Sequence, residues 1–177
     1  MNPSDNTTTG FHLFLMPSGE LKETLSGVIK TLAERYQGVL FEPHVTLMKI
    51  PEGNEEQVIS LAQSFAQNST PITLSLEDMG MEETFFRALY LKVNPNEALE
   101  ALHARAANVF GLNDAGAFTP HLSLFYGNVP EDLKREMVSS LTLPLPLTFI
   151  AESLHVYKTG GTTEQWEQIA EYPFPKS

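Results

Sequence analysis

One seven-residue pattern occurs twice in this chain, and no other feature of the sequence restricts its fold as much. Phe41-Glu42-Pro43-His44-Val45-Thr46-Leu47 and Phe118-Thr119-Pro120-His121-Leu122-Ser123-Leu124 share F-x-P-H-x-[ST]-L, with His44 and His121 standing 77 residues apart. The same offset carries the apolar run Phe11–Met16 onto Ala88–Val93, itself of strand character. A strand, a helix and a motif-bearing strand therefore follow one another twice. An α+β fold is expected, with two pseudo-symmetric lobes of duplicated strand–helix–strand units and antiparallel-type sheets around a central cleft.

The rest of the chain fills in that outline. Phe11–Met16 is closed by Pro17-Ser18-Gly19, and Leu21, Leu25, Val28, Ile29, Leu32 and Tyr36 then recur at helical spacing until Gly38. Pro43–Ile50 reads as a strand and Glu55–Gln67 as a helix. Pro71–Met79 alternates apolar and polar residues, and Phe85–Val93 is a further strand before a helix over Glu97–Phe110. His121–Tyr126 is a strand and Glu131–Ser140 a short helix. Closing strands are expected within Leu145–Ile150, Ser153–Lys158 and Glu164–Tyr172. Residues 1–10 read as a disordered tail, leaving 11–177 as a single domain.

Side chains alternate faces along a strand, so His44 shares a face with Thr46, and His121 shares one with Ser123. Each motif offers an imidazole and a hydroxyl about 7 Å apart, from a rise of roughly 3.3–3.4 Å per residue. Two such strands facing one cleft supply what phosphodiester hydrolysis requires. A neutral imidazole takes a proton from water, and a protonated one gives a proton to the departing oxygen; an unperturbed pKa near ~6.5 suits both roles. Thr46 and Ser123 can donate to the non-bridging oxygens. The scheme needs neither a metal nor another cofactor.

Composition narrows the substrate. The 177 residues are 42% hydrophobic, enough for one core. Absence of Cys excludes thiolate nucleophiles and zinc–thiolate sites and fits a cytoplasmic location. No apolar run approaches the ~18 residues of a membrane span, and no signal peptide is legible at the N-terminus. The Asn6-Thr7-Thr8 and Asn68-Ser69-Thr70 sequons read as chance. Eleven Lys and Arg face 22 Asp and Glu, a formal charge of −11. Such a surface repels long polyphosphates, so a small cyclic-phosphate nucleotide is expected as partner, with no long nucleic acid and no membrane, and the protein as a monomer.

The paired segments FEPHVTL and FTPHLSLFYG, with the ALYLKV strand, resemble the 2H phosphoesterase superfamily, most nearly its cyclic nucleotide phosphodiesterase branch. The resemblance spans roughly residues 11–160. It implies a two-lobed fold and hydrolysis of ADP-ribose 1″,2″-cyclic phosphate and nucleoside 2′,3′-cyclic phosphates to monoesters. The family's catalytic histidines and hydroxyls fall on His44, Thr46, His121 and Ser123. Its substrate-contacting tyrosine falls on Tyr126, and an aromatic of the first strand, often Trp there, falls on Phe14, which keeps a stacking face without an indole N–H.

Other residues invite a role without a motif to support it. His12 reads as surface or core edge and His103 as a solvated helix flank. His155 and Tyr157 share a strand face, and Lys158-Thr159-Gly160-Gly161 reads as a strand connection. Met79-Gly80-Met81 and Phe85-Phe86 read as loop and core. Two rival functions stay open. One is an RNA-end enzyme acting on 2′,3′-cyclic ends or 2′,5′ linkages, which the acidic balance disfavours. The other is a non-catalytic nucleotide-binding module, which has no need of both imidazoles. A metal-dependent phosphatase lacks an evident ligand cluster.

Overall fold

The computed structural model describes residues 6–112 and 117–176. Among the described residues eight strands are interleaved with four helices: β1 (Phe11–Leu15), α1 (Gly19–Tyr36), β2 (Val45–Ile50), α2 (Glu55–Gln67), β3 (Ile72–Gly80), β4 (Leu89–Val93), α3 (Glu97–Val109), β5 (His121–Phe125), α4 (Glu131–Ser140), β6 (Leu147–Ala151), β7 (Ser153–Lys158) and β8 (Glu167–Pro173). The strands form one antiparallel sheet in the order β6-β3-β4-β5-β2-β1-β7-β8. The expected α+β, two-lobed architecture is present as two four-stranded halves joined at their centre. The seam is β2 against β5, registered through the single pair Val45↔Leu122.

The halves are built alike at the positions that matter. Where β1 meets β2, Leu13 pairs with Met48 and Phe14 with Thr46, so Leu47 is the extra residue of a bulge. Where β4 meets β5, Leu89 pairs with Phe125 and Tyr90 with Ser123, which leaves Leu124 extra. Leu47 and Leu124 are the same position of the repeated pattern. In both halves the bulge lies just after the motif hydroxyl and sets an aromatic residue, Phe14 or Tyr90, directly across from it.

Helices cover one face. Val45, Leu47, Leu122 and Leu124 are buried there in the main core, together with Leu25 and Leu32 of α1 and Leu99, Leu102 and Ala106 of α3. The helices cross over: α1 lies on β5 and α3 on β2, so each packs behind the other half's motif strand. Burial on the helix side forces His44, Thr46, His121 and Ser123 to the opposite face. A second, smaller apolar cluster of Phe14, Met16 and Tyr157, with Trp166 packed against it, sits apart from the main core.

Local chemistry explains the boundaries. Asn54 caps α2 by accepting from Gln57 N–H at 3.2 Å, and Asn96 caps α3 by accepting from Leu99 N–H at 2.9 Å. At the end of α1 it is Gln37, not Gly38, that turns left-handed (φ 56°). Gly38 is needed for another reason: a Cβ there would stand 2.3 Å from the Phe125 ring.

Two expectations are corrected. Phe85–Arg87 forms a 3-10 turn rather than the start of a strand, because Glu82 N–H bonds to the Arg87 carbonyl at 3.1 Å and β4 begins pairing only at Leu89. Met79 and Gly80 are the end of β3, paired with Leu91 and Tyr90. The expected tail 1–10 lies partly outside the described residues; within the rest, Thr8 bridges Gly161.

Candidate active site

Proline explains the first feature of each motif. It biases the residue before it toward extended backbone, and in both copies that residue's carbonyl faces the histidine ring. His44 Nδ1 lies 2.6 Å from the Glu42 carbonyl, and His121 Nδ1 lies 2.9 Å from the Thr119 carbonyl. A carbonyl only accepts, so Nδ1 carries the proton and the neutral ring keeps its lone pair on Nε2. The x-P-H segment thus sets the tautomer twice over.

The seam sets the mutual arrangement. Stepping one residue each way from the Val45↔Leu122 pair puts His44 opposite Ser123 and Thr46 opposite His121. The two imidazoles and two hydroxyls named from the sequence therefore meet on one face, on a diagonal about the pair. Thr46 and His121 line one cavity of about 460 Å³. His44 lines another of about 370 Å³, with Phe14, Phe41, Glu42, Tyr157, Thr163, Trp166 and Gln168.

His44 is the enclosed member, 6% exposed. The Phe14 ring stacks on it at 3.8 Å and 23°. The Tyr126 hydroxyl stands 3.4 Å from Nε2, long for a hydrogen bond, and Phe41 covers Tyr126 at 3.7 Å. Burial pushes the His44 pKa down to about 4; the Glu42 carbonyl opposes this and His121 adds to it. Burial also pushes the Tyr126 hydroxyl up. Phe14 thus packs directly on a site imidazole, while Tyr126 is buried beside it under aromatic cover.

His121 is half-buried, and Tyr90 meets it edge-on at 5.3 Å. Its pKa is lowered, first by burial and then by Arg87, against the Thr119 carbonyl and Glu82. Ser123 is buried, and its hydroxyl donates to the Phe86 carbonyl at 2.9 Å. That proton is committed in the free protein, whereas the Thr46 hydroxyl has no partner among the described residues.

Three contributors carried no motif. Arg87 pairs with Glu82 at 2.8 Å, donates to Thr119 Oγ1 at 3.2 Å and lies over the Tyr90 ring at 4.9 Å. Phe86 supplies the carbonyl for Ser123. Trp166, from just before β8, has its ring centroid 6.0–6.3 Å from those of His12, Phe14, His44, Phe86 and Tyr126. The one available signal was a lone Trp behind a Gly-Gly-Thr-Thr turn. His12 is buried, bonded through Nδ1 to Thr159 Oγ1 at 2.6 Å, with its pKa held down to about 3 by burial. His103 is no solvated flank: α3 presses it onto β2, where Nδ1 bonds the Leu47 carbonyl at 2.7 Å and the ring stacks on Phe118 at 3.8 Å. Among the described residues no group of three or more His, Cys, Asp or Glu is placed to hold a metal ion. No helix among them is long and apolar enough to cross a membrane.

A doubled histidine–hydroxyl strand pair on a two-lobed antiparallel sheet is the architecture of the two-histidine (2H) phosphoesterases. The sequence profile of the 2'-5' RNA ligase superfamily matches residues 23–163, and the chain belongs to that superfamily. A cyclic phosphodiesterase of Arabidopsis thaliana is 22% identical over 167 residues, covering 90% of this chain and 92% of that protein. A predicted phosphoesterase of Bacillus pumilus is 28% identical over 118 residues, covering 64% and 68%. Among solved structures, Escherichia coli LigT in apo form superposes with a TM-score of 0.64 at 16% identity, covering 94% of this chain and 97% of that one. TT0787 of Thermus thermophilus gives 0.63 at 15%, covering 93% and 97%. At these identities the structural likeness speaks for the fold.

Proposed function

We propose that this chain is a metal-independent cyclic phosphodiesterase acting on small cyclic phosphates, ADP-ribose 1″,2″-cyclic phosphate and nucleoside 2′,3′-cyclic phosphates, and releasing phosphomonoesters. The observation that carries this reading is the pair of carbonyl-clamped imidazoles, each with Nε2 left for chemistry and set across the seam from a hydroxyl. Membership of a phosphoesterase superfamily and the likeness, over 90% of this chain, to a plant cyclic phosphodiesterase support the same class.

In the reaction, Nε2 of one neutral imidazole takes a proton from water while the water oxygen bonds to phosphorus. The bond from phosphorus to one ring oxygen breaks, and the other imidazole, protonated, delivers its Nε2 proton to that oxygen. Each transfer contributes about 10²–10⁴-fold. His44, held to about 4 by burial, is neutral across the neutral range and fits the base. His121, more exposed and beside Glu82, fits the acid, taking up its proton as the anionic substrate arrives. Thr46 donates to a non-bridging oxygen, and Ser123 does so once its proton leaves the Phe86 carbonyl.

The test is hydrolysis of a panel of cyclic phosphates in excess EDTA after metal removal, with a ten-nucleotide RNA ending in a 2′,3′-cyclic phosphate as competitor. Turnover of the small esters at undiminished rate is expected. Restoration of lost activity by Zn²⁺ or Mg²⁺ would replace this reading with metal-dependent hydrolysis. A tenfold or greater preference for the RNA at low salt would replace it with the RNA-end reading.

A further inference from the structure

The connection from β7 to β8 carries no motif, yet it differs from a plain turn in two ways. The first is rigidity. Gly161 sits at φ +91°, and a Cβ there would stand 2.1 Å from Gln165 Oε1, so this conformation needs glycine. Thr162 N–H donates to Gln165 Oε1 at 2.9 Å, and Gln165 N–H donates to the Thr162 carbonyl at 2.9 Å, around a 3-10 turn over Thr163–Gln165. At its base, Gly161 and Thr8 exchange two backbone hydrogen bonds of 3.0 Å. So fastened, the turn holds its side chains in fixed directions.

The second is what those side chains leave unmet. Thr163 and Trp166 both line the cavity of His44. Among the described residues four buried side-chain polar atoms have no hydrogen-bond partner, and Thr163 Oγ1 and Trp166 Nε1 are two of them. Buried polar groups are nearly always satisfied, so two orphans three residues apart beside a histidine point to a ligand. An indole N–H can only donate, so what it meets must be an acceptor. Of the acceptors in that cavity, Glu42 is already engaged by the Tyr157 hydroxyl and the Lys22 ammonium, Gln168 Oε1 faces His155 Nδ1 at 3.4 Å, and His44 Nε2 faces the Tyr126 hydroxyl at 3.4 Å.

The charge of the site says which acceptor. Burial keeps His12, His44 and His121 toward their neutral forms, and Arg87 is paired with Glu82. Lys49 lines the neighbouring cavity of Thr46 and His121, but no Lys or Arg lines the cavity of His44, so an anion there must be held largely by neutral donors. Ser123 has committed its proton to Phe86. Thr46, Thr163 and Trp166 have not.

We propose that the Thr163–Trp166 turn is a phosphate-ester recognition element. Trp166 Nε1–H and Thr163 Oγ1–H donate to oxygens of the bound phosphate, and the indole ring closes over His44. Both residues bind substrate and neither transfers a proton. The inference rests on the cyclic-phosphate reading above and names the part of the chain that discriminates phosphorylated from unphosphorylated ligands.

Trp166 is the single tryptophan of the chain, so its emission reports on this turn. The probes are inorganic phosphate, adenosine 2′-monophosphate and adenosine, titrated by fluorescence on the wild type and by calorimetry on Trp166→Phe and Thr163→Val. Phosphate and the monophosphate are expected to change the emission. Each variant should bind both about tenfold more weakly, the scale of one hydrogen bond to a charged group, with adenosine affinity and unfolding midpoint unchanged. Phosphate affinity unaltered in both variants overturns the proposal, and so does a wild type that binds no phosphate. Equal weakening toward adenosine also overturns it, by moving the donors to the nucleobase. A wild type that shows the expected binding pattern but turns over no cyclic phosphate supports the turn's role while refuting the reaction proposed above.

Discussion

The two motifs share a skeleton and differ in enclosure. In each, a carbonyl two residues upstream clamps Nδ1, a bulge follows the hydroxyl, and an aromatic ring stands across from that hydroxyl. Around His44 the ring lies face to face at 3.8 Å, and Tyr126 fills the space beside Nε2. Around His121 the ring is edge-on at 5.3 Å, with an ion pair alongside and an open cavity in front. Duplication thus supplies two equivalent imidazoles, and unequal packing gives them different surroundings. The base and acid roles proposed above rest on that difference.

The largest test of the difference removes each imidazole in turn. His44→Ala and His121→Ala are each expected to cost about 10²–10⁴-fold in kcat, and the double variant little more, because the two act as a unit. A nucleoside 4-nitrophenyl phosphodiester, whose leaving group departs without a proton, separates the roles. His121→Ala should recover most of its deficit on that substrate and His44→Ala none. Recovery by His44→Ala instead reverses the assignment, and near-normal activity of either variant on cyclic phosphates ends it.

The pH dependence is the next largest effect. The proposed reaction requires a neutral base and a protonated acid, so the acid limb reports the base and the alkaline limb the acid. Two free imidazoles would centre the bell of kcat/KM near ~6.5. With His44 near 4 and His121 lowered as well, the optimum should lie on the acid side of that value. Beyond each limb the rate falls about tenfold per unit, and the limbs belong to the coupled pair. Stability moves with the same groups. His44 and His12 have folded values of about 4 and about 3, below the unfolded ~6.5. The unfolded chain therefore binds more protons as pH falls, and the stability present above ~6.5 is lost progressively below it. Thermal unfolding followed from pH 7.5 to 4 should show a declining midpoint, less steep in His12→Asn. A midpoint flat over that range would show that neither ring is buried neutral.

The hydroxyls come third. Thr46→Val removes a donor that has no partner among the described residues, so roughly a tenfold loss in kcat/KM is expected, as for one charge-assisted bond, with stability unchanged. Ser123→Ala also leaves the Phe86 carbonyl without its donor, a cost of about 1–3 kcal/mol, or about 2–4 °C in Tm per kcal/mol for a chain of this size. Equal Tm values for the two variants would remove this asymmetry.

How far the site could be read in advance follows from the same geometry. His44, Thr46, His121 and Ser123 were legible because a strand's two-residue period and a repeated pattern are local. Tyr90 was not recognised as the counterpart of Phe14, since it lies 76 residues on while the motifs lie 77 apart. Only the observed bulges bring both rings into register. Phe85–Arg87 was read as strand because apolar runs look alike in a strand and in a turn packed under a tyrosine. Trp166 escaped notice for a topological reason. It reaches Phe14 and His44 because β7 pairs with β1, a closure that no local period announces. His103 was misjudged for the same reason, the crossing of α3 behind β2 being a long-range feature.

The smallest expected effect concerns the two tyrosines nearest the imidazoles. The Tyr126 hydroxyl stands 3.4 Å from His44 Nε2, and with Nδ1 carrying the ring proton it is the donor of that contact. It competes with water for the lone pair to which the proposed base role falls, yet it also contacts the ring beneath Trp166. The Tyr90 hydroxyl donates to Glu82 at 3.2 Å, away from the imidazole, and only its ring edge meets His121. Tyr126→Phe should therefore alter kcat/KM by roughly two- to tenfold, the scale of one neutral hydrogen bond, and move the acid limb of the pH profile. Tyr90→Phe should leave that limb in place. Parallel profiles for the two variants would mean that the hydroxyl beside Nε2 carries no weight, and that the enclosing rings alone distinguish His44 from His121.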